Sequence, residues 1–150
     1  MAFEQKRDRY IVTTDKTKLD LQVIHGFLRR SYWAAGIPSE VVERSIRHSL
    51  AFGLFYDGEQ VGFARVMTDR ATFAYLADVF VLEGHRGRGL SRWLMEVVLS
   101  HPDLQGLRRW MLATADAHGL YERYGFAALK TPEIFMERHD PDVYKRNSSS

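Results

Sequence analysis

The sequence contains no cysteine, which excludes a disulfide framework, a thiolate-ligated metal site and a cysteine nucleophile together. With no argument left for an oxidising compartment, a cytoplasmic home is the expectation. Proline is scarce, at 4 in 150 residues, and the 11 glycines follow no period, so fibrous and low-complexity classes do not fit. No apolar run approaches the ~20 residues of a membrane span, and Met1 to Arg9 carries charges where a signal peptide would need an apolar centre. A soluble chain with no membrane partner is expected. A surplus of one charge is lacking as well: 21 Lys and Arg against 19 Asp and Glu leave a net +2, too little for non-specific nucleic-acid affinity. Basic residues are interspersed with acidic ones and do not interleave with aromatics, so no nucleic-acid partner is expected.

What is present is 45% hydrophobic and 27% charged residues, enough for one domain over residues 1–150 with a core of its own. Residues 1–9 and the polar tail 145–150 are expected to fray. Tyr10 to Thr14 reads as a strand, and Val23, Ile24, Phe27 and Leu28 recur at helical spacing. Gly36-Ile37-Pro38 breaks that helix, and Pro38 opens another with Val42, Ile46 and Leu50 on one face. Phe52, Leu54 and Tyr56 alternate before Asp57-Gly58, and β-type residues resume from Val61 to Met67, so a hairpin with a type I′ turn is expected. A turn at 68–70 leads into a long strand over 72–81, expected to be buried on both faces. Leu90, Trp93, Leu94, Val97 and Val98 form one apolar helical stripe. A strand over 110–114, a short helix over 118–123 ending before Gly125, and two weak strands at 127–129 and 135–138 complete the chain. The order is β-α-α-β-β-β-α-β-α-β-β. The fold class is α+β: a mixed, mostly antiparallel sheet of six to seven strands flanked by about four helices.

The stretch from Val79 through Arg86-Gly87-Arg88-Gly89-Leu90-Ser91 carries the chemistry. It sets a glycine-rich basic turn between a buried strand and an amphipathic helix, where unpaired N–H groups and the helix dipole attract an anion. Gly87 and Gly89 let the main chain approach a phosphate. A dinucleotide-binding reading needs a small residue where Arg92 stands, and a P-loop needs a Gly-Lys-Ser/Thr that is missing. A plain surface turn with solvated arginines stays as the bland reading.

These residues resemble the GCN5-related N-acetyltransferases (GNAT). That family's Arg/Gln-x-x-Gly-x-Gly/Ala signature is matched by Arg86 to Ser91, with Ser91 in the last small position. A second block, Asn-x-x-Ala-x-x-Phe/Leu-Tyr-x-x-x-Gly-Phe, is echoed by Thr114 to Phe126, with Thr114 in place of Asn. The resemblance covers residues 10–138. It implies that the strand over 72–81 splays from the next at a bulge, and that the pantetheine arm of acetyl-CoA pairs with Val79, Phe80 and Val81. The pyrophosphate would rest on the amides of Arg86, Gly87, Arg88, Gly89, Leu90 and Ser91. Thr114 would stand at a pantetheine contact, with Asp116 able to replace it.

Acetyl transfer from a thioester to an amine needs an uncharged amine, an oxyanion donor and a proton for the leaving thiolate. The resemblance makes Tyr121 the proton source, since a phenol of pKa about 10 can protonate a thiolate near 8.5. The oxyanion donor would be a main-chain N–H near Phe80 or Val81. Asp78, the one carboxylate in the strand, is the candidate base, and burial would raise its pKa; a structural hydrogen bond or water as base are the alternatives. His85 and His118 lack ligand-spaced partners, so no metal is expected. Tyr124 is expected to pack, and so are Tyr32, Trp33, Phe52, Phe73 and Tyr75, some of which would line an acceptor pocket. The implied function is an acetyl-CoA-dependent N-acetyltransferase acting by direct attack in a ternary complex on a small-molecule or protein amine. A non-catalytic acyl-CoA-binding module is the alternative. A homodimer through the C-terminal strands would follow the family pattern.

Overall fold

A computed structural model describes residues 2–148, and shows one six-stranded sheet with helices on both faces. The strands β1 (Glu4–Arg7), β2 (Tyr10–Thr13), β3 (Leu50–Tyr56), β4 (Glu59–Thr68), β5 (Phe73–Val81) and β6 (Arg109–Leu112) lie side by side in chain order. All neighbours are antiparallel except β5 and β6, which run parallel. A parallel pair needs a crossover, and helix α3 (Leu90–Ser100) supplies it.

Two apolar clusters hold the layers together. On one face Leu90, Trp93, Leu94, Val97 and Val98, the stripe expected of α3, pack with Tyr10, Val12, Phe52 and Leu76. On the other, α1 (Leu21–Leu28) and α2 (Ser39–Arg47) bury Ile24, Leu28, Val42 and Ile46 against Ala51, Phe63 and Phe80. Asp20 caps α1 by accepting from the N–H groups of Gln22 at 3.0 Å and Val23 at 3.3 Å. Pro38 precedes α2 as its N-cap residue. The β3–β4 hairpin closes through Asp57 (φ 49°) and Gly58 (φ 87°), the two left-handed residues of a type I′ turn.

Four expectations are corrected. Residues 1–9 do not fray as a block: Glu4–Arg7 pairs with β2, held by Thr13 Oγ1 donating to Glu4 at 2.7 Å and by a Lys18–Glu4 ion pair at 3.2 Å. A charged edge strand has no apolar alternation to announce it, and its charges discourage edge-to-edge association. No strand forms at 127–129 or 135–138; that segment is exposed, passes a one-turn helix at Pro132–Ile134 and ends in α5 (Val143–Ser148). Pro132 and Pro141 cannot donate to a ladder, which leaves only short runs between them. The tail over 145–148 accordingly lies within α5, while Ser149 and Ser150 lie outside the described residues. Nor is β5 buried on both faces throughout, since residues 77–79 are only half-buried. No helix among the described residues is long and apolar enough to cross a membrane.

His101 ends α3 and is buried between the rings of Phe3 at 5.0 Å and Phe52 at 5.8 Å, its Nδ1 accepting from the Asp103 N–H. Burial holds its pKa below the ordinary 6.5, partly opposed by Asp103. A depressed folded-state pKa contributes stability that is present above the unfolded value and lost as pH falls through the folded one. The melting temperature is therefore expected to fall from about pH 7 to about pH 5, and His101→Gln to flatten that fall while lowering stability at pH 7. Thermal unfolding followed by circular dichroism checks both, and an equally steep fall in the variant would remove His101 as the cause.

Candidate active site in the cleft between β5 and β6

The cleft begins with a counting mismatch. Between Phe63↔Phe80 and Arg65↔Ala77, β4 advances two residues while β5 advances three, so β5 carries an extra residue in a bulge. Asp78 takes up the bend at φ +57°, a conformation rare outside glycine and asparagine. The parallel pairing of β5 with β6 stops at Leu76↔Leu112, just before the bulge, although β5 runs on to Val81. The β6-facing edge of β5 is thus left open from residue 77 onward.

Asp78 is braced from both sides. Arg65 Nε donates to Oδ2 at 2.8 Å, Trp33 Nε1 donates to Oδ1 at 2.9 Å, and Arg65 Nη1 also donates to Ser49 Oγ at 3.1 Å. The Arg65 and Asp78 side chains are only 14% and 10% exposed, so neither charge has much water to replace its partner. The loop between α1 and α2 crosses the mouth of the cleft, shaped by Gly36 (φ +79°), the Ser31 hydroxyl on Ala34 N–H at 3.1 Å and His25 on Ile37 O at 2.9 Å. It reaches β5 through Trp33 and the far bank through Tyr32, whose hydroxyl accepts from Ala115 N–H at 3.1 Å.

A cavity of about 400 Å³ results, walled by residues 75–79 of β5, residues 112–117, Tyr121, and the loop pair Tyr32 and Trp33. Tyr121, on α4 (His118–Glu122), is buried with its ring edge-on to Phe126 at 6.0 Å. Its hydroxyl has no partner among the described residues, yet no buried side-chain polar atom there goes unsatisfied, so the group opens on the cavity. Burial, with Tyr32 and Asp116 nearby, raises its pKa above the ordinary 10.0 and keeps the phenol protonated well into alkaline solution. Thr114 also lines the cavity, its hydroxyl accepting from Ala117 N–H at 3.0 Å in the turn that starts α4.

A second hollow of about 260 Å³ lies at the start of α3, bordered by Val81, Arg86, Gly87, Gly89, Ser91 and Arg92. Gly87 (φ +81°) and Gly89 (φ +73°) are both left-handed, and a Cβ at either would meet nothing closer than 3.9 Å, so glycine answers conformation rather than crowding. Gly89 is the N-cap and makes no side-chain cap, and the first turn of α3 holds no acidic residue. Its leading N–H groups are therefore offered outward, as an anion site requires. The arginines are less free than the sequence suggests. Arg86 Nε braces the turn on Val81 O at 2.9 Å, and Arg88 donates to Tyr10 Oη at 3.0 Å, which also meets His85 Nδ1 at 2.9 Å.

Of the residues singled out from sequence, Asp78, Val79, Thr114 and Tyr121 meet at the cavity, while Val81, Arg86, Gly87, Gly89, Leu90 and Ser91 meet at the hollow. Phe80 borders neither; its ring faces the opposite side of the sheet, stacked on Phe27 at 4.1 Å. Arg88 points to Tyr10 instead. Arg65 gave no signal in sequence because an arginine in mid-strand reads as a solvated charge. Of the aromatics expected to pack or to line an acceptor pocket, Tyr32, Trp33 and Tyr75 line the cavity, Tyr32 and Trp33 being 65% and 43% exposed at its mouth, and Phe73 is exposed elsewhere. Phe52 is in the core, and Tyr124 lies against α3 with its hydroxyl donating to Arg92 O at 3.1 Å. Among the described residues no cluster of side chains could hold a metal ion.

The sequence pattern of the acetyltransferase (GNAT) family matches residues 21–126, and the chain belongs to that family of N-acetyltransferases. A candidate GNAT acetyltransferase of Xanthomonas campestris pv. campestris has the same fold at a TM-score of 0.88, with 57% identity over 90% of this chain and 96% of that one. A candidate acetyltransferase of Gibberella zeae is 33% identical, with 77% of each chain covered. The structure of a GNAT acetyltransferase from Elizabethkingia anophelis, which has acetyl-CoA bound, shares the fold alone: 13% identity, TM-score 0.63, 87% of this chain and 88% of that one.

Because Arg65 and Asp78 are each other's main compensation, removing one strands the other. Arg65→Met is expected to cost about 3 kcal/mol, and the double variant Arg65→Met/Asp78→Asn less than the sum of the singles. Urea unfolding of the four proteins measures the coupling; strict additivity would mean that the pair braces nothing.

Proposed function

We propose that the protein is an acetyl-CoA-dependent N-acetyltransferase that passes the acetyl group to an amino group of a small molecule or protein by direct attack within a ternary complex. The observation that carries this reading is an arrangement along β5: uncapped N–H groups of α3 beyond its end, an edge freed from β6 after Leu76, and a cavity beside that edge lined by Tyr121. The bound acetyl-CoA of the Elizabethkingia relative supports it through the shared fold.

In this reading the diphosphate rests on the main-chain amides from Arg86 to Ser91, with Arg92 adding charge, and the pantetheine amides pair with β5 at Val79 to Val81. Phe80 takes part through its backbone only. A β5 N–H beyond the bulge receives the carbonyl oxygen as it becomes an oxyanion. The amine proton leaves to water held on the remaining lone pairs of Asp78, whose oxygens already accept from Arg65 and Trp33. The neutral amine then attacks the thioester carbon and the C–N bond forms; the C–S bond breaks, Tyr121 protonates the departing thiolate, and the second amine proton leaves through water to restore the phenol, so that the amide is released. No covalent enzyme intermediate is needed.

Tyr121→Phe is expected to lower kcat about 100-fold while leaving acetyl-CoA affinity unchanged, by thiol release and by calorimetry respectively. Unaltered turnover would take Tyr121 out of the chemistry. Gly89→Val should raise the KM for acetyl-CoA about tenfold, since a left-handed residue other than glycine carries roughly 1–2 kcal/mol of strain and would distort the turn. Full affinity in that variant would contradict the diphosphate assignment. Binding of acetyl-CoA with no thiol release for any amine would support the binding module instead.

A further inference from the structure

The transferase reading leaves the acceptor open, and the cavity wall narrows it. Resting on that reading, we propose that the acceptor is a compact ammonium with no carboxylate beside its amine: an alkylamine, arylalkylamine or diamine rather than an amino acid.

Three observations converge. The first is charge. The cavity lining contains no lysine, arginine or histidine, and its carboxylates are Asp78 and Asp116. Asp78 is compensated by Arg65 at 2.8 Å, whereas Asp116 has no ion-pair partner among the described residues. One uncompensated negative charge therefore faces the space where the acceptor must sit. The second is the aromatic wall. Tyr32 and Trp33 meet with ring centroids 5.1 Å apart at 81°, and Tyr75 lines the same cavity. Rings set at right angles offer a cation a face on one side and a second aromatic wall on the other, and repel an anion. The third is size: about 400 Å³, part of which the thioester end must fill, suits a small acceptor.

The contrast with the other end of the cleft sharpens the point. There Arg86, Arg92 and the start of α3 concentrate positive character on the hollow. The molecule is polarised along its cleft, cationic where a diphosphate lies and electron-rich where the amine enters. An α-amino acid would bring its carboxylate against Asp116 and the ring faces, with no basic side chain in the lining to receive it. The same molecule without the carboxylate meets no such penalty.

Matched pairs test this directly, because tyramine and tyrosine, phenethylamine and phenylalanine, or cadaverine and lysine differ only by the carboxylate. Acetyl-dependent thiol release is measured for each pair with wild-type protein and Asp116→Asn, and acetyl-CoA affinity is measured separately by calorimetry. The expected result is at least about a tenfold preference in kcat/KM for the decarboxylated member, equivalent to about 1.4 kcal/mol, reduced at least about threefold by Asp116→Asn. Equal or better use of the carboxylated members overturns the proposal, as does a preference indifferent to Asp116. A weakened acetyl-CoA affinity in Asp116→Asn would reassign that carboxylate to the pantetheine and also overturn it. Failure of the wild-type protein to bind acetyl-CoA would instead sink the transferase reading itself.

Discussion

A single extra residue in β5 organises this molecule. Antiparallel pairing with β4 absorbs it at Asp78, the strand bends, and pairing with β6 ends at Leu76. A non-glycine residue in the left-handed region persists only where its surroundings over-determine it. Here the surroundings are specific: Arg65 from the neighbouring strand and Trp33 from the loop above, one on each carboxylate oxygen. The cleft, the exposed strand edge and the position of the loop pair all follow from that arrangement.

The crossover α3 then sets an uncapped helix N-terminus next to the cleft. A parallel β5–β6 pair obliges the chain to turn sharply at the end of β5 and return through a helix, and the turn places that helix's N-terminus beside the open edge. The glycines of the turn supply two left-handed residues in three, and the lack of a capping side chain keeps the leading N–H groups available. At the far end Tyr121 enters on a helix of five residues, docked by Phe126 after the left-handed Gly125.

Much of the fold was legible in the sequence wherever periodicity and turn chemistry agreed. The α3 stripe, the Asp57-Gly58 hairpin, the apolar face of α1 and the Gly125 stop all stand where their residues place them. The N-terminal strand was hidden because Glu-Gln-Lys-Arg carries no apolar alternation; its pairing depends on β2 and on Glu4 meeting Thr13 and Lys18. The expected C-terminal strands do not form: the short apolar runs near Pro132 and Pro141 have the composition of strands, yet neither pairs with β6, which remains the edge of the sheet. At the site, the glycine turn and Tyr121 were readable through motif spacing. Arg65 was not, and Tyr32 and Trp33 could be named only as two of five aromatics some of which would line a pocket, since nothing in the order of residues connects positions 32, 33, 65 and 78.

By itself the sequence determined most of the helices and strands, the glycine turn before α3 and the family, because hydrophobic period, glycine dihedral freedom and motif spacing act over a few neighbouring residues. Only the tertiary structure decided which groups face one another across the cleft. It engaged Asp78 with Arg65 and Trp33, selected Tyr32, Trp33 and Tyr75 from five candidate aromatics to line the cavity, and left Asp116 unpaired among the described residues. The physical reason is range: hydrogen bonds, ion pairs and burial are settled by distances of a few ångströms between residues far apart in the chain, and those distances exist only once the sheet has formed.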